Sequence, residues 1–221
     1  MVRIVSLFLF VALLLPNCLS EKTCSNQDRS CSLEANLASI LFSPPGIYLY
    51  STLNTYQGNL ANSIVLDTNL SIICTNERLF APITSSCSDL APFVSTSFAP
   101  MSAITGFYID FPTTGVPLRG PFGTILADDF NSVFTTDLKS TMSDAGLGTG
   151  LFWTFGDANG GYGGTTATTC ADGTDNTTGT GAAGSPLNSA STTWFGSSLV
   201  NCVDTYRLLC MCYSPASGGG G

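Results

Sequence analysis

Thr205-Tyr-Arg-Leu-Leu-Cys-Met-Cys212 decides how the rest of the chain is read. Its residues suit a strand, and a period of two puts Tyr206, Leu208, Cys210 and Cys212 on one face. Further cysteines stand at positions 18, 24, 31, 74, 87, 170 and 202. Whether they are structural, metal-binding or catalytic depends on the compartment in which the chain works, and the opposite end of the sequence speaks to that.

Arg3 is followed by an apolar run from Ile4 to Leu15, broken only by Ser6. This is the core of an export signal, too short to cross a bilayer, which takes about 20 apolar residues. Two processing routes fit. Ser20, with Cys18 two residues before it, resembles a small-residue cleavage site. Leu15-Pro16-Asn17-Cys18 resembles a bacterial lipobox, in which Cys18 is lipidated and becomes the first mature residue. Either route takes Cys18 out of the thiol pool and leaves eight cysteines, an even number that favours disulfides in an exported chain. There is no histidine, which excludes mixed Cys/His zinc sites, and the spacings do not offer the two close pairs of an all-cysteine site.

The division that follows is residues 1–18 as signal and lipobox, 19–46 as a tether with a short helix, 47–213 as the domain and 214–221 as a disordered tail. In the tether, Cys24 and Cys31 close a small local disulfide. Leu33, Leu37, Ile40 and Leu41 fall at helical spacing before Pro44-Pro45 stops the helix. Ile47 to Thr52 reads as the first strand. A helix is expected from about Asp67 to Leu79, with Asp67 as its N-cap and Leu70, Ile73 and Cys74 on one face. The proline-punctuated stretch from Pro82 to Pro121 suggests short strands and long loops. Asp129 to Met142 offers a second amphipathic segment through Phe130, Val133, Phe134 and Leu138, and Leu151 to Phe155 reads as a buried strand. From Gly156 to Ser191 the composition is that of one long loop.

Only 10% of residues are charged, with seven basic against 15 acidic side chains and a formal charge of -8. Such a sparse, acidic surface excludes nucleic acid, whose phosphates need clustered Lys and Arg, and also adhesion to anionic lipid by charge. Membrane attachment would have to come through acyl chains. Without histidine there is no Ser/His/Asp or Cys/His nucleophile, no G-x-S-x-G occurs, and Asp128-Asp129 stands where a helix start favours acids anyway. The chain is read as a non-enzyme. Gly179-Thr-Gly-Ala-Ala-Gly184 matches the dinucleotide fingerprint literally, but the expected loop context supplies neither the strand before it nor the helix after it. Asp157, Asn159, Asp172, Asp175 and Asn176 bear the oxygen ligands calcium prefers; the other reading makes them Asx-turn residues among glycines. Trp153 and Trp194 read as core, which leaves Tyr162 as the exposed aromatic of a binding loop.

Tyr56-Gln-Gly-Asn-Leu60, the helix carrying Cys74, Leu151-Phe-Trp-Thr154 and the closing Cys170…Trp194…Cys202-x7-Cys210 together resemble the lectin-like domain of many leptospiral lipoproteins. That domain is itself similar to the endostatin-type branch of the C-type lectin fold. The resemblance spans about Ile47 to Tyr213 and is strongest in the C-terminal third. It implies an α+β, C-type lectin-like fold with long glycine-rich loops and two nested disulfides, Cys74–Cys210 and Cys170–Cys202. The shared strand face of Cys210 and Cys212 then makes Cys87–Cys212 a third pair, with Cys24–Cys31 the fourth. Departures are plain: the Glu-Pro-Asn, Gln-Pro-Asp and Trp-Asn-Asp signatures of sugar-binding lectins are absent, as are endostatin's zinc-binding histidines.

The expectation is a lipoprotein anchored through Cys18 at a bacterial outer membrane, probing the outside with a binding domain. Its partner is a host extracellular or surface protein, or a glycan, engaged through Tyr162, Asp157, Asn159, Asp172 and Asp175. Two other readings stand: a calcium-dependent lectin using Asp157, Asp172 and Asp175, and a structural envelope component. Secretion or a periplasmic location is the alternative to anchoring.

Overall fold

Ile47–Ser51 forms β1, and its alternating residues divide between two interiors. Ile47 and Leu49 enter the main core while Tyr48 and Tyr50 enter a smaller one on the opposite face. The computed structural model describes residues 44–83, 87–164 and 167–216. The expected signal and lipobox with Cys18, the tether with its helix and the Cys24–Cys31 pair up to residue 43, and residues 217–221 of the tail lie outside the described residues. The described residues belong to one compact unit spanning Ser43–Gly221.

The architecture is α+β, with two sheets and few helices. The closing strand, β8 (Leu209–Tyr213), pairs antiparallel with β1, setting Tyr48 opposite Cys212 and Tyr50 opposite Cys210. On its other edge it pairs antiparallel with β2 (Asp89–Pro92). β1 in turn pairs parallel with β3 (Leu118–Arg119), which pairs with β4 (Ile125–Ala127), giving the order β2-β8-β1-β3-β4. Chain start and chain end of the domain are thus neighbouring central strands. Leu209, Met211 and Tyr213 join the main core, and Cys210 and Cys212 the smaller one. The single face read for residues 206–212 holds for the two cysteines. Tyr206 and Leu208 belong to a third cluster, because regular pairing begins only at Leu209.

The main core is aromatic: Trp194 stacks on Phe93 at 5.9 Å and on Phe134 at 5.6 Å between ring centroids. Phe130, Val133 and Leu138 are buried there as their spacing suggested, but the expected second amphipathic helix reduces to a 3-10 turn, Asn131–Phe134. Irregular backbone presents the same side chains inward, so apolar spacing alone did not discriminate.

The expected 156–191 loop is corrected most. Thr180–Gly184 is β6, the middle strand of a second sheet, flanked by β5 (Phe152–Trp153) and β7 (Ser198–Asn201). Gly and Ala, poor strand formers by propensity, serve here because bulk surrounds them. A Cβ on Gly181 would sit 2.7 Å from Cys170 Sγ and 2.8 Å from Trp153. The literal nucleotide fingerprint is therefore a strand that accommodates a tryptophan and a disulfide.

Three disulfides close the unit: Cys74–Cys210, Cys87–Cys212 and Cys170–Cys202, with Cα separations of 5.7, 5.6 and 5.6 Å. They are the pairs expected from the resemblance and from the shared face of Cys210 and Cys212. Chain-entropy arguments assign the 136-residue separation of the first about 5 kcal/mol. No helix among the described residues is long and apolar enough to cross a membrane.

Candidate functional site

Helix α1 (Leu66–Glu77) carries the face on which a binding site is most readily built. Its inner side, Leu70 and Cys74 among it, is fully buried, and its C-terminal end is tied down twice. The Cys74–Cys210 bond holds it to β8, and the Tyr50 hydroxyl donates to the Cys74 carbonyl at 2.7 Å. Burial pushes the Tyr50 phenol well above its ordinary value, which keeps it a donor.

Glu77 makes the second tie. Its carboxylate is buried and accepts from Leu53 N at 2.7 Å, Asn54 Nδ2 at 2.5 Å and the Tyr56 hydroxyl at 2.8 Å. Burial alone would raise its pKa; the donors of Asn54, Leu53 and Tyr56 outweigh this and hold it below the ordinary value. Tyr56 is pushed up to about 12 by burial and by the same carboxylate. Both Glu77 oxygens and the Tyr56 hydroxyl are thereby committed to joining α1 to the segment after β1.

The start of α1 differs from the expectation. Val65, not Asp67, is the N-cap, and it makes no side-chain cap bond. Asp67 lies in the first turn, 4% exposed, with Oδ1 accepting from Thr96 Oγ1 at 2.5 Å. Thr96 Oγ1 also accepts from Ala99 N, so Asp67 organises the loop after β2.

Two grooves run beside the outer face of α1. One, of about 450 Å³, is lined by Asp67, Thr68, Ser71, Ile72, Thr75, Asn76 and Phe107. The other, of about 360 Å³, lies toward the 56–62 segment and shares Ile72 and Asn76 with the first. Side-chain amides of Gln57, Asn59, Asn62 and Asn69 line it. Ile72 and Phe107, 46% and 48% exposed, supply apolar surface. Neither groove was legible as a site: of the helix, spacing assigns a face only to Leu70, Ile73 and Cys74, and Phe107 lies in the Pro82 to Pro121 stretch expected to hold short strands and long loops.

The residues singled out from the sequence are distributed otherwise. Asp157 Oδ1 accepts from the backbone N–H groups of Asn159 and Gly161, both at 2.9 Å. Asp175 accepts from Thr177 N, Thr177 Oγ1 and Gly179 N, each at 2.7 Å, and these bonds, the Thr177 hydroxyl's foremost, lower its pKa. Both are Asx-turn residues. Asn176 Nδ2 donates to Gln57 Oε1. Asp172 accepts from the Tyr162 hydroxyl at 2.7 Å. Tyr162 is half-buried and bridges Gly156 through its backbone, so it is an internal strut rather than the free aromatic expected. Burial and the Asp172 bond raise its pKa. Among the described residues no group of three or more His, Cys, Asp or Glu is positioned to hold a metal ion, so Asp157, Asp172 and Asp175 are not gathered into a calcium cage. Trp153 and Trp194 are fully buried. Neither the protein-family comparison nor the comparison with curated proteins finds a match to this chain.

Proposed function

We propose that this chain is an exported, lipid-anchored surface protein whose disulfide-stapled domain binds another protein without catalysing a reaction, and that α1 and its two grooves form the binding face. One observation carries the reading: α1 is fixed to the central sheet by Cys74–Cys210 and to the segment after β1 by Glu77, while exposed apolar residues and amide-bearing residues lie beside open grooves along its outer face. A rigid element presenting apolar anchors amid neutral polar groups suits protein recognition, since little entropy remains to be lost on binding. The lectin-like reading of the fold is supported by the two nested disulfides that the resemblance implies and by the pairing of the domain's first and last strands. Attachment through Cys18 rests on the lipobox-like Leu15-Pro16-Asn17-Cys18.

An array of matrix proteins and glycans probed with the purified chain tests the binding role. Retention on protein spots that survives calcium chelation, and that falls at least tenfold with Asn76→Arg, is expected. Retention on glycans alone, or retention lost on chelation, overturns it. Mass spectrometry of the mature N-terminus tests the anchor: acylated Cys18 is expected, and a free Glu21 means release.

A further inference from the structure

We propose that the groove between α1 and Phe107 is a receptor for a lysine side chain of a partner protein, with Asp67 as the acceptor of its ammonium. This rests on the reading of the domain as a protein binder and names the chemistry of its contact. Asp67 is more than nine-tenths buried, lines the groove, and uses only one oxygen: Oδ1 accepts from Thr96. Its Oδ2 takes no hydrogen bond and no ion pair from a described residue, yet it is not among the sealed, unsatisfied buried atoms, so it reaches the groove's solvent. The N-terminus of α1 offsets part of the Asp67 charge, and a carboxylate oxygen in a largely desolvated floor without a paired cation still attracts one.

The walls say which cation. Ile72 and the Phe107 ring, about half exposed, offer apolar surface on which a four-carbon stem can lie, and an aromatic face attracts an ammonium nearby. Ser71 and Thr75 add hydroxyl acceptors along the same helical stripe. With Oδ1 already bonded to Thr96, Asp67 is less suited to the two parallel bonds of a guanidinium fork than to an ammonium, which needs only a point acceptor with further acceptors around it. Long-range charge agrees. The described residues bear four basic side chains, Arg78, Arg119, Lys139 and Arg207, against twelve acidic ones, so the domain's field draws a basic partner.

The experiment is a 15N–1H NMR titration of the full chain with the blocked tripeptide acetyl-Gly-Lys-Gly-amide, alongside its Nε-acetyl-lysine and arginine counterparts. Saturable shifts confined to the amides of Asp67, Ser71, Ile72, Thr75, Asn76 and Phe107 are expected with the lysine peptide. They should weaken at least fivefold with arginine and vanish with acetyl-lysine. Asp67→Asn, which keeps an acceptor for Thr96, should weaken the lysine peptide at least tenfold. Ile72→Lys, at an exposed position that leaves the core alone, should abolish it by occupying the groove itself. Asp128→Asn, remote from α1, should leave it unchanged. Shifts scattered over the acidic surface, equal shifts with acetyl-lysine, or full binding by Ile72→Lys overturn the proposal. An array without protein ligands would not touch a positive titration, and a failed titration would leave array binding standing, so the two readings fall separately.

Discussion

The two sheets of this domain are ordered by opposite means. In the five-stranded sheet, the central strands β1 and β8 bury side chains on both faces, large ones toward the main core, and order comes from the volume they fill. In the three-stranded sheet the middle strand is Thr180-Gly-Ala-Ala-Gly184, and order comes from the absence of volume, which lets Trp153, Phe152 and Cys170 pack directly on backbone. Near it the chain also tolerates strain: Cys170, Ala171 and Asp172 have φ of 50°, 53° and 57°. One half is a filled core, the other a close-fitted one.

The largest effect that separates them is covalent. Replacing Cys74, Cys87, Cys210 and Cys212 together by Ala should lower the unfolding free energy by at least about 5 kcal/mol, measured by urea denaturation, because the two bonds, spanning 136 and 125 residues, close nearly the same long loop and either one left in place would keep it closed. The same exchange at Cys170 and Cys202, 32 residues apart, should cost about 3–4 kcal/mol in loop entropy alone. A larger loss at Cys170 and Cys202 would mean that the glycine-rich half depends on its bond for more than chain entropy.

Gly181→Ala probes the close-fitted half directly. Its added carbon meets Cys170 Sγ at 2.7 Å, Trp153 at 2.8 Å and Phe155 at 3.0 Å. All three neighbours are fully buried, so a loss of about 2–3 kcal/mol is expected by thermal or chemical unfolding. A change below about 0.5 kcal/mol would show that this half is loosely fitted after all.

This contrast also explains what could be read from the sequence. β1 and β8 announce themselves through Tyr48, Tyr50, Leu209 and Met211, whose types and alternation carry the burial signal in themselves. β6 carries none, because its glycines are required by neighbours distant in sequence, and propensity rules count that requirement as loop. The same blindness applied to the site. Asp157, Asp172 and Tyr162 drew notice as polar and aromatic residues in a presumed loop, where they turn out to bond one another and the backbone. Asp67 read as a cap, yet its place beside Thr96 and Phe107 depends on how β2 and the following loop pack against α1.

Glu77 joins α1 to the filled half, and its contribution should follow pH. Its folded-state pKa is depressed, so its stabilisation is complete above the ordinary value of about 4.5 and is lost as pH falls below it. Glu77→Gln should cost about 2 kcal/mol at neutral pH, since a buried charged acceptor loses three donors' full strength. The gap between parent and variant should narrow in unfolding curves taken from pH 6 down to pH 3. A gap that widens on acidification would contradict the assigned sign.

The smallest effect has the opposite direction. Cys170–Gly173 forms one helical turn of left-handed sense, with Ala171 at φ 53°, ψ 50° and Asp172 at φ 57°, ψ 45°. Thr169 O and Cys170 O accept from Gly173 N and Thr174 N, and Thr169 Oγ1 accepts from Asp172 N. An L-residue with a Cβ pays about 1–2 kcal/mol for this conformation, which glycine does not. Glycine loses more freedom on folding, which returns roughly 0.5–1 kcal/mol of that. Ala171→Gly should therefore raise stability by about 0.5–1 kcal/mol, whereas Asp172→Gly would also lose the Tyr162 bond and gain nothing. The gain is informative only if the Cys170–Cys202 bond is what imposes the turn. In a background lacking that bond the strained turn is free to relax, and the benefit of Ala171→Gly should disappear. If it persists undiminished, the turn is imposed by the packing of Cys170 against Gly58 and Gly181 rather than by the covalent link.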